Sequence, residues 1–157
     1  MSEQVVYRSA VFADVEALYH LLSAYAKDGL MLPRARSVLY ETLRDFIVAE
    51  VDGVVVGVGA LHFLWDRLAE VRSLAIAPAW AKKGLGSEIV RRLEEQGAQY
   101  GVTLYFALTY QPGFFASCGY EKADKEMLPQ KVWKECVYCP KYPDCDEIAM
   151  IKRASQS

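Results

Sequence analysis

The sequence predicts an α/β (α+β) fold with a central mixed, mostly antiparallel sheet flanked by helices. β-branched runs lie on both sides of Asp52-Gly53, a dipeptide typical of tight hairpin turns. Residues 84–100 have helical periodicity and join two apolar runs, which indicates a right-handed crossover between parallel strands. The chain has 157 residues, 53% of them hydrophobic, so we expect one core and a single domain over residues 1–157.

The N-terminal third is predicted to contain a strand and two helices. "VVYRSA" has the composition of a short strand, and "FADVEALYHLLSAYAKDG" then repeats apolar residues at helical spacing up to Gly29. Pro33 interrupts the pattern, after which Val38, Leu39 and Leu43 indicate a second helix. The hairpin "FIVAEVDGVVVGVGALHFLW" follows.

The second half is predicted to alternate strands with helices. "LAEVRSLAIAP" is a strand that Pro78 ends, and the helix after it ends before Gly101. "VTLYFALTY" is the next strand, "PGFFASCGY" a short helix before Gly119, and "DEIAMIKR" the last strand. A helix between two apolar strands places the parallel pair inside an otherwise antiparallel sheet.

Composition limits the classes of partner. The formal net charge is -2 and the pI is near 5.7, so no global basic field would attract nucleic acid or an anionic membrane. No apolar run approaches the roughly 20 residues that span a bilayer, and "MSEQVVYRSA" lacks the pattern of a secretory signal. We therefore expect a cytoplasmic protein with reduced cysteines. Its oligomeric state is left open, a homodimer being one alternative.

The stretch "AKKGLGSEIV" is a candidate phosphate site. A helix that opens from a glycine turn presents N–H groups without intrahelical acceptors, and its dipole favours an anion there. Gly84 and Gly86 would admit a ligand close to the backbone, and Lys82 and Lys83 add local positive charge. The spacing fits neither a Walker loop nor a dinucleotide fingerprint. On these residues alone, a plain strand-to-helix connection with solvated lysines explains the turn equally well.

The residues before the turn extend the comparison. "EVRSLAIAP" followed by this turn resembles the acetyl-CoA-binding core of the GNAT acyltransferases. Together with "LMLPRARSVLYETLRDFIVAEVDGVVVGVGAL", "LYFALTYQPGFFASCGY" and "LPQKVWKECVYCPKYPDCDEIAM", it resembles the short bacterial N-acetylglutamate synthase branch of that family. The chain departs from the family pattern at Ala81, where an Arg or Gln is usual, and so loses one side-chain contact.

The resemblance implies acetyl-CoA as co-substrate and assigns its contacts. The pantetheine arm would lie along the strand before the turn, and the pyrophosphate would sit at the helix N-terminus. The implied pantetheine contacts are Leu74, Ala75 and Ile76. The implied phosphate contacts are Lys82, Lys83, Gly84, Leu85, Gly86 and Ser87. Gln111, Phe114 and Phe115 would lie near the thioester and the far side of the arm.

The resemblance also implies an acid–base pair. An ammonium group must lose a proton before it attacks a thioester, and a carboxylate can accept that proton. Glu70 matches the family's catalytic glutamate; the alternative is an exposed strand-end carboxylate. Many family members protonate the leaving thiolate with a tyrosine at the position that Phe115 occupies here. Tyr110, which ends the adjacent strand, is the substitute candidate, unless it only packs its ring in the core.

A glutamate acceptor would bring two carboxylates, which arginine binds with two parallel hydrogen bonds. The candidates are Arg34, Arg36 and Arg72. Arg72 lies two residues from Glu70, so both side chains point to one face of the strand. An ion pair with Glu70 is the alternative for Arg72, and a solvated surface position is the alternative for Arg34 and Arg36.

The implied reaction is direct transfer of acetyl from acetyl-CoA to the α-amine of L-glutamate, the first step of arginine biosynthesis. One alternative is another small-molecule or protein amine: a different amino acid, a polyamine or a protein N-terminus. A cationic acceptor would need an acidic pocket instead of arginines. The second alternative is a catalytically silent acyl-CoA-binding module, which the departures at Ala81 and Phe115 leave open.

The cysteines and histidines fit no strong motif. "CVYCPKYPDC" contains Cys136, Cys139 and Cys145, which would need Asp146 or Glu147 to complete a zinc site. Reduced cysteines packed under a proline-rich loop are favoured, so no metal is expected. Cys118 has no activating base in its vicinity in the sequence. His20, on the apolar side of the first predicted helix, and His62, within a strand, are expected at core or edge positions.

Overall fold

A mixed sheet forms the centre of the computed structural model, which describes residues 4–31, 33–128 and 147–154. The described residues form seven strands: β1 (Val6–Ser9), β2 (Phe46–Val51), β3 (Val54–Trp65), β4 (Leu68–Ile76), β5 (Leu104–Thr109), β6 (Glu121–Ala123) and β7 (Ile148–Arg153). Their order in the sheet is β1-β2-β3-β4-β5-β7-β6. Every neighbouring pair is antiparallel except β4 and β5, which are parallel. The predicted fold class is confirmed.

Four α-helices within the described ranges cover the two faces of this sheet: α1 (Val15–Lys27), α2 (Arg36–Glu41), α3 (Leu85–Gln99) and α4 (Pro112–Ser117). One buried cluster packs α1 and α2 against alternate residues of β2 and β3, including Val48 and Val58. The other packs α3 and α4 against the opposite face, including Ile47 and Leu61. Each α-helix was predicted; the three-residue strand β6 was not, because it is short and carries no apolar alternation.

The β2–β3 hairpin turns at Asp52 and Gly53, as predicted. Both residues have positive φ, 50° and 80°, which a tight turn between strongly twisted strands requires. The turn closes on the pair Val51 and Val54. The β3–β4 hairpin closes in a similar way on Trp65 and Leu68.

A bulge in β4 determines which way its side chains face. Val58 pairs with Ala75 but Ala60 pairs with Arg72, so β4 has one residue more than β3 between these pairs. Ser73 lies within this interval and has φ of 56°. Without the extra residue, strict alternation would put Arg72 on the same face as Leu74. Instead Leu74 packs with the α3 cluster, while Arg72 faces the side that α2 covers.

The two parallel strands separate after a short paired stretch. β4 and β5 pair from Leu68 with Leu104 to Glu70 with Phe106. Beyond these pairs, β4 continues to Ile76 and β5 to Thr109 without further pairing to each other among the described residues. The sheet therefore opens between them, next to the start of α3.

None of the helices in the described ranges is both long enough and apolar enough to cross a membrane.

Candidate active site

A pocket lies on the face of the sheet that α1 and α2 cover. Its lining combines two guanidinium groups, one carboxylate and two hydroxyl groups with apolar residues: Arg34, Val38, Leu39, Thr42, Asp45, Phe46, Ala60, Arg72 and Ser73. The segment before α2 provides Arg34, and the bulged part of β4 provides Arg72 and Ser73. The fold thus brings two of the three predicted substrate-binding arginines to one pocket.

Glu70 lies beside this pocket. Its carboxylate Oε1 is 3.7 Å from Nη1 of Arg72, and the two side chains are 14% and 11% exposed. Both are largely sheltered, since their strand lies in the middle of the sheet. The guanidinium of Arg72 lines the pocket and is within ion-pair distance of Glu70. The ion pair given as the alternative is therefore observed, and substrate binding by Arg72 stays a prediction.

Arg36 takes a different position. Its guanidinium donates to both carboxylate oxygens of Glu16, at 2.7 and 3.1 Å, and stacks 3.9 Å from the ring centre of Tyr19. The hydrogen bond from Arg36 lowers the pKa of Glu16 and raises that of Arg36. This arginine is exposed, does not line the pocket described above, and couples α2 to α1.

A histidine–aspartate pair borders the same pocket. His62 is the cross-strand partner of Glu70, and its Nδ1 lies 2.7 Å from Oδ2 of Asp45. Asp45 ends the 3₁₀ turn Leu43–Asp45 and lines the pocket. No role was predicted for Asp45. Counting back from the pair Trp65–Leu68 would place His62 opposite Val71, and a register shift between Phe63 and Trp65 makes it the partner of Glu70 instead, so no signal in the sequence could have found this arrangement.

The start of α3 has the features of an anion site. Gly84 is the N-cap, with φ of 85°, and Lys82 also has positive φ, 62°. Lys82, Lys83, Gly84 and Ser87 are exposed, and the Lys83 ammonium lies 4.8 Å from the ring centre of Trp80. The first N–H groups of the helix point out of its end.

One acidic side chain lies in the first turn of α3, and two arginines balance its charge. Glu88 accepts hydrogen bonds from Arg91 and Arg92, and the bond from Arg91 is the main cause that lowers the pKa of Glu88 to about 2. Because the carboxylate is charged but paired, it repels an anion at the helix start less than an isolated Glu would.

The cofactor residues predicted from β4, α3 and α4 converge at this end of the sheet. A Cβ on Gly86 would lie 3.1 Å from the ring of Phe114 and 3.9 Å from Leu74, so only glycine fits without displacement. Leu85 and Phe115 are buried in the core. The ring of Phe115 stacks edge-on against Phe114 and Tyr120.

The open edge of β4 has one hydrogen-bond partner from α1. The N–H of Ala77 bonds to Val56 on β3, so alternation directs the polar groups of Ala75 toward β3 and those of Leu74 and Ile76 toward the opening. The N–H of Ile76 donates to the Tyr25 hydroxyl at 3.0 Å, and this hydroxyl lies 3.3 Å from the Ile76 carbonyl. α1 thereby contacts the strand predicted to hold pantetheine.

Tyr110 and Gln111 follow β5 on the other side of the opening. Tyr110 is half-buried and Gln111 is exposed. The N–H of Gln111 donates to the hydroxyl of Thr109 at 2.8 Å, which turns the chain from β5 into α4.

The remaining candidate ligands are only partly within the described ranges. Cys136, Cys139, Cys145 and Asp146 lie outside them. Within them, no three His, Cys, Asp or Glu side chains come together as a metal site. Cys118 is half-buried, with Sγ 3.9 Å from Oγ of Ser87. The prediction for His20 is wrong: it lies on the solvent side of α1 and its side chain is 72% exposed.

The chain is similar in sequence to a known protein family and to two of its relatives. Residues 15–120 match the model described as "Acetyltransferase (GNAT) family". The "Uncharacterized N-acetyltransferase CT2212" of Chlorobaculum tepidum is 42% identical over 92% of this chain and 94% of its own length. The "Amino-acid acetyltransferase" of Mycobacterium tuberculosis is 36% identical over 83% of this chain and 76% of its own length.

A solved structure gives the match at the level of the fold. N-acetylglutamate synthase from Neisseria gonorrhoeae, complexed with coenzyme A and N-acetyl-glutamate, superposes with a TM-score of 0.89 and 23% identity. The alignment covers 99% of this chain but 36% of that one, so the similarity concerns one part of a longer protein.

Proposed function

This chain belongs to the GNAT family of acetyltransferases, and we propose that it transfers the acetyl group of acetyl-CoA to the α-amine of L-glutamate. It is an acyltransferase, and acetyl-CoA is its co-substrate. The assignment of L-glutamate as acceptor rests on one observation: Arg34 and Arg72 lie together in a pocket beside Glu70.

The pocket suits an acceptor with two carboxylates. A guanidinium can bind a carboxylate through two parallel hydrogen bonds, and Arg34 and Arg72 supply two such groups from different elements. Asp45, the acidic residue of the lining, is already bonded to His62. A polyamine would instead need carboxylates where these arginines lie.

Glu70 is proposed as the base. Near neutral pH the α-amine of a free amino acid is mostly protonated, and the ammonium must lose a proton before attack. Glu70 accepts this proton, directly or through a water, and the free amine adds to the thioester carbon to form the C–N bond of a tetrahedral intermediate, whose collapse breaks the C–S bond. A backbone N–H on β4 would stabilise the oxyanion of the tetrahedral intermediate.

Tyr110 is proposed as the proton donor to the departing thiolate. It directly follows β5, on the side of the opening that faces away from β3. Phe115 has no proton to donate, and its ring is packed in the core.

The cofactor would bind in the opening between β4 and β5. The outward backbone groups of Leu74 would pair with an added strand-like partner such as pantetheine, whereas those of Ile76 already bond to the Tyr25 hydroxyl, which the arm would have to displace there. Ala75 contributes backbone that pairs with β3. The diphosphate would lie at the start of α3, against the backbone from Lys82 to Ser87. Phe114 and Gln111 from the α4 side complete this proposed contact surface.

The test is a panel assay of CoA release with L-glutamate, L-glutamine, L-aspartate, neutral and basic amino acids, and a polyamine. We expect the highest kcat/KM with L-glutamate. A higher kcat/KM with a neutral or cationic amine would show that this amine, and not L-glutamate, is the acceptor. CoA binding without turnover of any amine would indicate a binding module. If L-glutamate is confirmed, the reaction is the first step of arginine biosynthesis, which we place in the cytoplasm.

A further inference from the structure

The pair formed by Asp45 and His62 has no role in the reaction as described so far. We propose that His62, oriented by Asp45, takes the proton that Glu70 removes from the acceptor and passes it to solvent. This inference rests on the proposed role of Glu70 as the base, and it does not depend on which amine is the acceptor.

The register places His62 where it can exchange a proton with Glu70. The two residues are direct partners across the antiparallel strands β3 and β4, so their side chains lie on the same face of the sheet. Cβ atoms of such partners are about 4.5–5.5 Å apart, a separation that an imidazole and a carboxylate span directly or through one water. Ala60 and Arg72, the next pair on the same face of these strands, both line the pocket.

Asp45 determines which nitrogen of His62 is available. A carboxylate offers only acceptor oxygens, so the 2.7 Å contact is a hydrogen bond donated by Nδ1–H of His62. A neutral imidazole with its proton on Nδ1 has a lone pair on Nε2. The same arrangement, a carboxylate that fixes the tautomer of a histidine, prepares the base in other enzymes.

The charged groups around His62 come from three elements. Asp45 reaches it from the 3₁₀ turn before β2, Glu70 and Arg72 face the same side from β4, and Arg34 lines the pocket from the segment before α2. Two carboxylates and two guanidiniums balance in charge. An imidazolium formed beside them is attracted by the carboxylates and repelled by the guanidiniums.

Exposure increases along the proposed route. The Glu70 side chain is 14% exposed, and those of His62 and Asp45 are each 25% exposed. A proton on the sheltered carboxylate therefore has a more accessible group next to it on the way to bulk water.

The proton balance requires such an exit. The acceptor enters as an ammonium and leaves as an amide, so it loses two protons for each acetyl group transferred. One proton neutralises the CoA thiolate when the C–S bond breaks. The other moves from the ammonium to Glu70, then to Nε2 of His62, and then to water, which returns Glu70 to its charged form for the next turnover.

The experiment compares His62→Ala with His20→Ala, the matched control at the other histidine of the chain. We expect His62→Ala to lower kcat about 10-fold or more, near the lower end of acid–base effects, with the Kd of CoA and the Tm nearly unchanged. Added imidazole should restore part of the lost kcat, more so as pH rises and more of it is neutral. His20→Ala should keep wild-type kcat, and imidazole should not restore Glu70→Gln.

These measurements use whichever amine the panel assay ranks first. A different best acceptor with the His62 effect intact would overturn the glutamate assignment alone. Wild-type kcat in His62→Ala, or a loss that imidazole does not reverse, would overturn the relay alone.

A second readout needs no turnover. Nitrogen-15 NMR of the histidines should show His62 with its proton on Nδ1, and Asp45→Asn should shift it toward the Nε2–H tautomer. A proton on Nε2 in the wild-type protein would overturn the proposal even if no amine were acetylated.

Discussion

Arg34 and Arg36 are two positions apart, yet they have different surroundings. Arg34 precedes α2 and lines the pocket, whereas Arg36 begins the helix and is held by Glu16 of α1. The difference arises because the chain is extended at Ala35, between the two arginines, and becomes helical from Arg36 onward. Nothing in the sequence around Pro33 distinguishes the two arginines, so the substrate-binding prediction treated them alike.

These surroundings give a prediction with an internal control. Arg34→Ala and Arg72→Ala should each raise the KM for L-glutamate about 10- to 100-fold, because each removes a charged hydrogen-bond partner of a carboxylate. The KM for acetyl-CoA should change little. Arg36→Ala should leave both KM values near wild type. Steady-state kinetics decide this: equal effects on both substrates, or an equal effect of Arg36→Ala, would contradict the two-arginine site.

Glu70→Gln tests the base directly. We expect kcat to fall about 10²- to 10⁴-fold, since the amide cannot accept the proton, and the loss to be greatest at lower pH, where more of the acceptor is ammonium. Calorimetry should show the Kd of CoA nearly unchanged. Glu121→Gln, at an exposed position on β6, is the matched control. Wild-type turnover of Glu70→Gln across pH would remove Glu70 from the mechanism.

At the scale of the element, the bulge in β4 organises both halves of the site. It directs Leu74 and Ile76 toward α3, and Glu70 and Arg72 toward the pocket. In the proposed function, this one strand would bind the cofactor along its edge and the acceptor on the face that α1 and α2 cover. The dipeptide Asp52-Gly53 predicted the hairpin turn. The bulge could not be predicted from the sequence, because serine has no distinctive preference for the positive φ that Ser73 adopts.

The bulge is testable through the backbone of Ser73. Its φ of 56° lies in the left-handed region, which valine disfavours strongly and glycine adopts freely. Ser73→Val should destabilise the protein by about 1–2 kcal/mol, while Ser73→Gly should be at least as stable as wild type. Urea unfolding of both variants measures this. If valine were tolerated as well as glycine, the bulge would not need this conformation.

At the scale of the whole molecule, the predicted elements agree with the structure where a periodic pattern spans several turns or pairs. Residues of α3 repeat their apolar face over the length of the helix, and β2 and β3 carry β-branched runs around a recognisable turn. The pairing of Asp45 with His62 could not be predicted in this way, because it depends on the register of the β2–β3 hairpin, which shifts between Ala49 and Glu50, and on the 3₁₀ turn directly before β2.

Whole-molecule stability should depend on pH through the N-terminal edge of the sheet. Arg8 of β1 donates to both carboxylate oxygens of Asp14, at 2.7 and 2.9 Å, and to Glu50 of β2 at 2.9 Å. The Asp14 carboxylate also accepts from the N–H of Val11. Asp14 is buried, and the hydrogen bonds from Arg8 are the main cause that lowers its pKa. This network fixes β1 and the start of α1 to β2.

The sign of the pH effect follows from that lowered pKa. Asp14 contributes its full stabilisation above the unfolded-state pKa of about 3.9, and the contribution is lost as pH falls through the lower folded-state value. Asp14→Asn should therefore cost about 1–3 kcal/mol at pH 7, and its difference from wild type should narrow below about pH 4. Urea unfolding at a series of pH values tests this. The control is Glu16→Gln, because the Glu16 carboxylate is exposed beside Arg36, and it should lower the free energy of unfolding much less at every pH. If Asp14→Asn were less stable than wild type by the same amount down to pH 2.5, the ionised carboxylate would not be the source of the stabilisation.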